Sequence, residues 1–297
     1  LMYTLLGQGV IANERGYLEG RNLVQTALRL MEEKSLDLWS YGRERAHALW
    51  HILHWSENRL NLLEPIEEAL IVTRRAHDPL YAGYLLNVAV IIRYFAGRSM
   101  DEVLTAHDRV VEHCRPYEAM SVITSFTQIY AGAASALRAE TDDLTSITGK
   151  YVDEVEFRQR CSGMPMVMGL LVGARIPLYG YAGKWRDVIK MADDPNIAIS
   201  PPFIPHTPIA FWGGLAALKL LGDAGEAEEA TDLRARFESA LDYLSDVQDT
   251  ASPDNVGHQV SFLKAEFARL EGRSHDADTH YKNAITAAKK NSYRLEQ

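Results

Sequence analysis

Apolar residues recur at intervals of three and four positions along most of the chain, and the alternation typical of β-strands is almost absent. Two segments show the pattern clearly: Leu23, Ala27, Leu30 and Met31, and Leu62, Ile66, Ala69, Leu70 and Thr73. An α-helix turns every ~3.6 residues, so this spacing places the apolar side chains on one face of each helix. The pattern therefore predicts an all-α protein built from amphipathic helices.

Turn-forming residues interrupt this pattern about every forty positions, and each interval holds two predicted helices. The predicted turns lie near Gly16, Asn58, Gly97, Glu140, Gly183, Gly222 and Gly272. One helical hairpin is too small to bury its own apolar face, so hairpins of this kind stack on their neighbours. We expect residues 1–297 to form one domain, a right-handed superhelical solenoid of about seven hairpins.

Several predicted helix ends carry suitable capping residues. Gly97, Gly183 and Gly272 stand where a helix C-terminus favours a left-handed residue. Ser99 and Ser274 follow two of these glycines, and each is predicted to be the N-cap of the next helix.

Two segments are predicted to be long loops. Residues 193–208 contain five prolines, which are incompatible with a regular helix. Residues 245–254 are predicted to form the second loop.

The last predicted hairpin carries a packing pattern with a known meaning. Ala265, Ala277, Tyr281 and Ala284 reproduce the small–aromatic–small order of a tetratricopeptide repeat. In that pattern the small residues let two helices approach closely, and the aromatic ring wedges between them. Ala268 stands where the family prefers an aromatic residue, so the hairpin resembles a degenerate tetratricopeptide unit.

Three segments carry a more particular resemblance: HQVSFLKAEFARLEG at 258–272, HDPLYAGY at 77–84 and YAGKWRDV at 181–188. They are similar to the helical region of large signalling proteins that join a Ser/Thr kinase-like domain, an AAA/STAND-type ATPase, helical repeats, a GAF domain and often a histidine kinase. The resemblance implies a fragment of a larger protein, acting as a non-catalytic spacer or sensor between the ATPase and the output domains. It transfers no active-site residue.

Charge and composition indicate which partners the protein can bind and in which compartment it is found. The chain has 31 basic and 40 acidic side chains and a net charge of −9, and no run of Lys or Arg exceeds two residues, which disfavours nucleic acid. The most apolar stretch, residues 164–174, is shorter than the ~20 residues that span a bilayer, so no membrane contact is expected. Two cysteines far apart indicate a reducing compartment, and we expect a cytoplasmic protein.

The candidate chemistry lies mainly on one predicted helix. His47, His51 and His54 fall on one face at offsets of four and seven, a spacing that can chelate Zn²⁺. No Glu stands between the first two in a metalloprotease pattern and no distant ligand is evident, so no metal is expected and the three remain weak candidates. Gly7 and Gly9 match a loose dinucleotide pattern, but no strand precedes them, so no cofactor is expected either.

The same helix also contributes to a candidate groove. Trp50, His54, Tyr81, Tyr84 and Trp212 lie on inner helices of different hairpins and are candidates for an aromatic groove that takes a peptide or a ligand. The competing interpretation is that these rings are wedges between packed helices.

We therefore expect a non-catalytic interaction and relay module of a multidomain signalling kinase or ATPase. Its expected partners are a protein, a peptide or flanking domains of the same chain, and a small molecule is a further candidate ligand. One alternative is a small-molecule sensor domain of a STAND-type regulator, like that of the maltose-responsive activators, which predicts a pocket with convergent polar groups. The other is a freestanding peptide-binding scaffold that depends on Trp50 or Tyr84.

Overall fold

The computed structural model describes residues 2–34, 37–199, 204–224 and 227–293. These residues form α-helices, short 3-10 and π-helical turns and connecting loops, and none of them forms a β-strand. The prediction of an all-α protein is therefore confirmed. Within the same residues, none of the helices combines the length and the apolar character that a bilayer crossing requires.

The helices follow one another in pairs along the chain. In chain order they are α1 Met2–Glu14, α2 Tyr17–Glu33, α3 Leu38–Ala48, α4 His54–Ser56, α5 Leu63–Arg75, α6 Pro79–Phe95, α7 Met100–Cys114, α8 Ser121–Leu137, α9 Glu154–Cys161, α10 Pro165–Tyr181, α11 Trp185–Ala192, α12 Pro195–Ile199, α13 His206–Leu221, α14 Ala227–Thr250, α15 Pro253–Leu270 and α16 Ser274–Lys290. A π-helical turn, Leu49–Leu53, makes α3 and α4 continuous, and 3-10 helices precede α5 and α8 at Arg59–Leu62 and Glu118–Met120.

The same set of contacts recurs from pair to pair. The first helix of each pair packs against the first helix of the next, in the order α1, α3, α6, α8, α10, α13 and α15. The second helix of each pair also contacts the first helix of the following pair, as α5 contacts α6 and α14 contacts α15. Most residues of α6, α8 and α10 are buried, because these helices have neighbours on several sides. Repetition of this kind is typical of helical-repeat proteins.

Most of the predicted helix ends are confirmed. Gly97, Gly183 and Gly272 have φ values of 64°, 69° and 74°, so each supplies the left-handed residue that ends its helix. The Ser99 side chain accepts a hydrogen bond from the backbone N–H of Glu102 at 3.3 Å and caps α7. The prediction for Ser274 is wrong: it is the first residue of α16, and its side chain makes no capping hydrogen bond.

The predicted loops need correction. Residues 245–250 are helical, because Leu244 and Val247 continue the buried face of α14, and the connection to α15 is only Ala251 and Ser252. Within residues 193–208, Pro195 begins the short helix α12, and α13 begins at His206; the first turn of a helix tolerates proline because its N–H groups have no helical partner. Residues 200–203 lie outside the described part of the chain.

A long irregular connection that the sequence did not indicate joins α8 to α9. It covers residues 138–153, and its Ile147 is fully buried against α8. A Cβ at Gly132 would lie 2.7 Å from the Ile147 carbonyl oxygen, so the close approach of this connection requires a glycine. The Lys184 ammonium donates to the Thr145 hydroxyl at 3.0 Å and ties the connection to α11. α9 consequently packs against α10.

The stack of helix pairs closes on itself. Ile11 and Trp55 from the first helices share one buried apolar cluster with Leu244 from α14. The guanidinium of Arg59 donates a hydrogen bond to the Thr207 hydroxyl at 2.9 Å, and both side chains are almost completely buried. In an open repeat array each unit contacts only its neighbours. Here the first and last thirds of the chain are in direct contact.

Asn255 is the centre of this closure. Its Oδ1 accepts hydrogen bonds from the backbone N–H of Arg59 at 3.1 Å and from the Tyr293 hydroxyl at 2.9 Å. Its Nδ2 donates to the carbonyl oxygens of His54 at 3.1 Å and Glu57 at 2.7 Å. One buried amide therefore satisfies backbone groups in and just after α4 and ties Tyr293 to α15.

Candidate functional site

The candidate site is a cavity of about 260 Å³ where α3, α6, α8 and α10 meet. We call it the aromatic cavity, and its lining consists of Ala46, His47, Trp50, His51, Tyr81, Tyr84, Phe126 and Met166. Among the described residues that line it, none is an Asp, Glu, Lys or Arg. The cavity is therefore formed by rings, a few apolar side chains and a small number of neutral polar atoms.

The rings are arranged as walls at near right angles. The Trp50 and Tyr84 rings have an interplanar angle of 85° and centroids 5.4 Å apart, and Tyr81 and Tyr84 have the same angle at 5.8 Å. Phe126 lies 6.5 Å from Trp50 in a similar edge-to-face arrangement. Such contacts are favourable because the positive edge of one ring meets the negative face of another. The walls therefore support one another.

Tyr81 is fixed by two polar side chains of α3. Its hydroxyl is hydrogen-bonded to Nε2 of His47 at 2.8 Å, and the Arg43 guanidinium lies 4.5 Å from the centre of its ring. Arg43 also lies 3.6 Å from the centre of the exposed Trp39 ring and is paired with the buried carboxylate of Asp78 at 2.5 Å. Asp78 is in turn the N-cap of α6. This wall is therefore held in position before any ligand arrives.

The contact of His51 with Gln8 favours one tautomer of its imidazole. The side-chain amide nitrogen of Gln8 lies 3.4 Å from Nδ1 of His51. An amide nitrogen is only a donor, so Nδ1 accepts and the proton of the neutral imidazole is on Nε2. Nε2 of His51 and the hydroxyl of Tyr84 make no hydrogen bond to another described residue. The lining therefore offers a ligand the polar groups of His51 and Tyr84, and Trp50 adds an indole N–H.

The aromatic cavity is electrically neutral. Burial lowers the pKa of His51 to about 3, because the imidazolium form would lose its hydration, and the neighbouring His47 acts in the same direction. Burial also lowers the pKa of His47 and raises the pKa of the Tyr81 hydroxyl. At neutral pH both imidazoles are uncharged, and Tyr81 keeps its proton.

The three histidines of the candidate metal set are not brought together. His47 and His51 stack with ring centroids 5.7 Å apart, whereas the His54 ring is fully buried 4.8 Å from the Trp55 ring. The π-helical turn at Leu49–Leu53 contains an extra residue, so the regular count that placed all three on one face fails there. Across the described parts of the chain, no three His, Cys, Asp or Glu side chains are grouped to hold a metal ion.

The predicted groove is only partly formed. Trp50, Tyr81 and Tyr84 come together in the aromatic cavity, whereas His54 faces the core. Trp212 is buried in α13, and its ring lies 5.0 Å from that of Tyr181, in a separate region of the molecule. A continuous aromatic groove from Trp50 to Trp212 is therefore not present. The Trp212 ring instead packs against Tyr181 and Gly180.

Three lining residues were missed at the level of sequence. Ala46 lies on the same helix as the histidines, and its small side chain leaves the space that the cavity occupies. Phe126 and Met166 come from α8 and α10, more than one hairpin away, and no local spacing relates them to Trp50. Only the packing of the first helices against one another brings them together.

The predicted packing residues of the last hairpin lie where the pattern places them. Ala265, Ala277 and Ala284 are buried between α15 and α16. The half-buried Tyr281 ring lies 5.8 Å from that of Phe262, and its hydroxyl donates to a carboxylate oxygen of Glu266 at 2.6 Å. These residues hold the hairpin together and are distant in sequence from those of the aromatic cavity.

Comparisons with known proteins do not assign the chain to a family. No protein-family model matches it, and no curated protein sequence matches it.

Proposed function

We propose that this chain is a non-catalytic, tetratricopeptide-like solenoid module that binds a small molecule in the aromatic cavity and relays binding to flanking domains of a multidomain signalling protein. The observation that carries the proposal is the neutral, ring-lined cavity at the meeting point of four first helices. Ligand sites are commonly concave, largely apolar and supplied with a few polar groups that fix orientation. The aromatic cavity has these three properties.

The surroundings of Trp50 support a relay. Trp50 and Met166 also line a smaller inner cavity together with Ile204, which lies just before α13. The first turn of α13 contains Thr207, which is hydrogen-bonded to Arg59 at the closure of the stack. A ligand that moves Trp50 or Met166 therefore changes the packing of Ile204, and through it the contacts between the first and last thirds of the chain.

The chemistry of the lining supports a binding role over catalysis. A general base needs a pKa near the working pH, and burial lowers that of His51 to about 3. Among the described lining residues there is no carboxylate, thiol or Ser/Thr hydroxyl that an imidazole activates. The His47 imidazole is hydrogen-bonded to Tyr81, which gives it a positioning role.

A fragment-binding experiment tests the proposal. Neutral, cationic and anionic one-ring and two-ring compounds are titrated into the 297-residue chain and followed by ligand-observed NMR. We expect a subset to bind, and Ala46→Leu to abolish that binding by filling the cavity, while Ala287→Leu on the half-buried face of α16 leaves it unchanged. If Ala46→Leu does not fold, Tyr84→Leu replaces it, with loss of binding expected.

Hydrogen exchange with the same bound fragment tests the relay. Slower exchange at residues 204–208 is expected, because binding stabilises the packing around Ile204. If a fragment binds but hydrogen exchange at residues 204–208 does not change, the chain binds the ligand without relaying it. Fragments that bind equally well to the wild type and to the filled variant, or no binding at all, would contradict the proposed function.

A further inference from the structure

The shape of the aromatic cavity limits the size and form of its occupant. Its volume of about 260 Å³ is below the range of roughly 300–1,000 Å³ that is usual for drug-sized ligands. Trp50, Tyr81 and Tyr84 give it flat walls at right angles. A planar ring can stack on one such wall and direct its edge to another, which is the favoured aromatic geometry. One or two fused rings fill this space.

His51 and Tyr84 supply the cavity lining with two different polar groups. The contact with Gln8 favours the His51 tautomer that has its proton on Nε2, in which this nitrogen is a donor. The Tyr84 hydroxyl has no hydrogen-bond partner among the described residues and can accept or donate. An occupant that carries an acceptor next to a donor would satisfy both groups, whereas a pure hydrocarbon would leave them without partners.

The charges around the cavity disfavour an ionic occupant. An anion would find no cationic partner in the described lining, and the guanidinium of Arg43, which lies over the Tyr81 ring, is paired with Asp78 at 2.5 Å. A cation would find no carboxylate in the described lining, and Arg43 already covers the Tyr81 ring at 4.5 Å, so that ring is no longer free to hold a second cation. The burial that keeps His51 uncharged acts against a ligand cation in the same way.

From these observations, and resting on the proposed function, we infer that the aromatic cavity binds a neutral, planar heteroaromatic ring that carries a hydrogen-bond acceptor beside an N–H donor. The Nε2 proton of His51 is donated to the ring acceptor, and the Tyr84 hydroxyl accepts from the ring N–H. Trp50 and Tyr81 contact the faces and edges of the ring. Purine-like and azaindole-like compounds belong to this class.

Four probes separate the contribution of the ring acceptor from that of ligand charge. 7-Azaindole has both the acceptor and the N–H donor, and indole has only the donor. Phenyltrimethylammonium is a cation, and benzoate is an anion. Dissociation constants are measured by ligand-observed NMR with the 297-residue chain. We expect 7-azaindole to bind about fivefold more tightly than indole, since one net hydrogen bond has that effect. Both charged probes should bind at least about tenfold more weakly than 7-azaindole.

Two variants locate the hydrogen bonds. His51→Phe should remove the advantage of 7-azaindole over indole, and Tyr84→Phe should weaken both probes by a similar factor. Tyr117→Phe, which changes an exposed tyrosine on another part of the surface, should leave all four dissociation constants unchanged.

The outcomes distinguish the two proposals. If a charged probe binds more tightly than 7-azaindole and Ala46→Leu abolishes its binding, the proposed ligand class is wrong but the binding function stands. Equal binding of 7-azaindole and indole would also overturn the ligand class. If no probe binds in the cavity, both proposals fail.

Discussion

Asn255 shows how much of the architecture can depend on one side chain. It lies on α15, is almost completely buried, and is hydrogen-bonded to His54, Glu57, Arg59 and Tyr293. A single polar residue on an apolar helix face gives no signal in the sequence, because three of its four partners are about two hundred positions away. Its role emerges only when the stack closes.

Replacement of Asn255 should destabilise the protein strongly. Asn255→Ala leaves the buried N–H of Arg59 and the carbonyl oxygen of His54 without partners, and the expected loss in the free energy of unfolding is about 3 kcal/mol. Urea denaturation measures it. Asn61→Ala, at an exposed position of the 3-10 helix, is the matched control and should change the free energy by less than about 0.5 kcal/mol. Equal losses in the free energy of unfolding for the two variants would mean that Asn255 does not stabilise the contact between the first and last thirds of the chain.

His51 predicts a pH dependence of stability. Its pKa is about 3 in the folded protein and near 6.5 in the unfolded chain, so between these values the unfolded chain binds more protons and acid lowers stability. From pH 6.5 to pH 5 this residue should lower the free energy of unfolding by about 1–2 kcal/mol. In His51→Gln that contribution disappears and the decline over this range becomes shallower.

Denaturation at several pH values measures this effect, with exposed His275→Gln as the comparison. A His51→Gln profile parallel to that of the wild type would show that His51 is protonated in the folded protein.

At the scale of helices and turns, the sequence was most informative where the signal is local. Apolar periodicity predicted the helices, and Gly97, Gly183 and Gly272 predicted their ends, because a left-handed residue at a helix C-terminus is a requirement of the local backbone. The irregular connection at 138–153 was missed because it is held by contacts to α8 and α11. The loop predicted at 245–254 was wrong because burial of Val247 favours continuation of α14.

Packing between α10 and α13 should be sensitive to the size of one residue. A methyl group at Gly180 would overlap the Trp212 ring, so Gly180→Ala should lower the free energy of unfolding by about 2 kcal/mol. Gly9→Ala on α1 meets no atom within 4 Å and should raise stability by about 0.5–1 kcal/mol, because alanine favours the helix. Thermal and urea denaturation of both variants test this. A neutral Gly180→Ala would show that the two helices can separate without cost.

At the scale of the whole molecule, the decisive property is closure. The recurrence of helix pairs was predictable, since each hairpin carries its own apolar pattern. The contact of Ile11 and Trp55 with α14 was not, because it depends on how the curvature of successive pairs accumulates. The aromatic cavity belongs to the same level: its histidines and tyrosines were recognised individually, but their meeting with Phe126 and Met166 is a product of the assembled stack.

Closure should make unfolding cooperative. In an open array, end units unfold separately. Here tryptophan fluorescence and far-UV circular dichroism should report one coincident urea transition, because the first and last thirds support each other. Arg59→Leu removes the hydrogen bond to Thr207 and should separate the two transitions, whereas Arg236→Leu, a partly exposed residue paired with Asp193, should not. Separate transitions already in the wild type would contradict the closed arrangement.

The π-helical turn that joins α3 to α4 affects any attempt to engineer this protein. From His54 onward the helix is out of phase by about 100° with a uniform count begun at Leu38, so a helical wheel drawn through the whole segment assigns the wrong face to its second half. Deleting one residue of the turn would leave His54 on its present face, because a helix without the extra residue reaches the same angle at that position. Side chains grafted onto this segment should therefore be placed by two separate counts, one that begins at Leu38 and one that begins at His54.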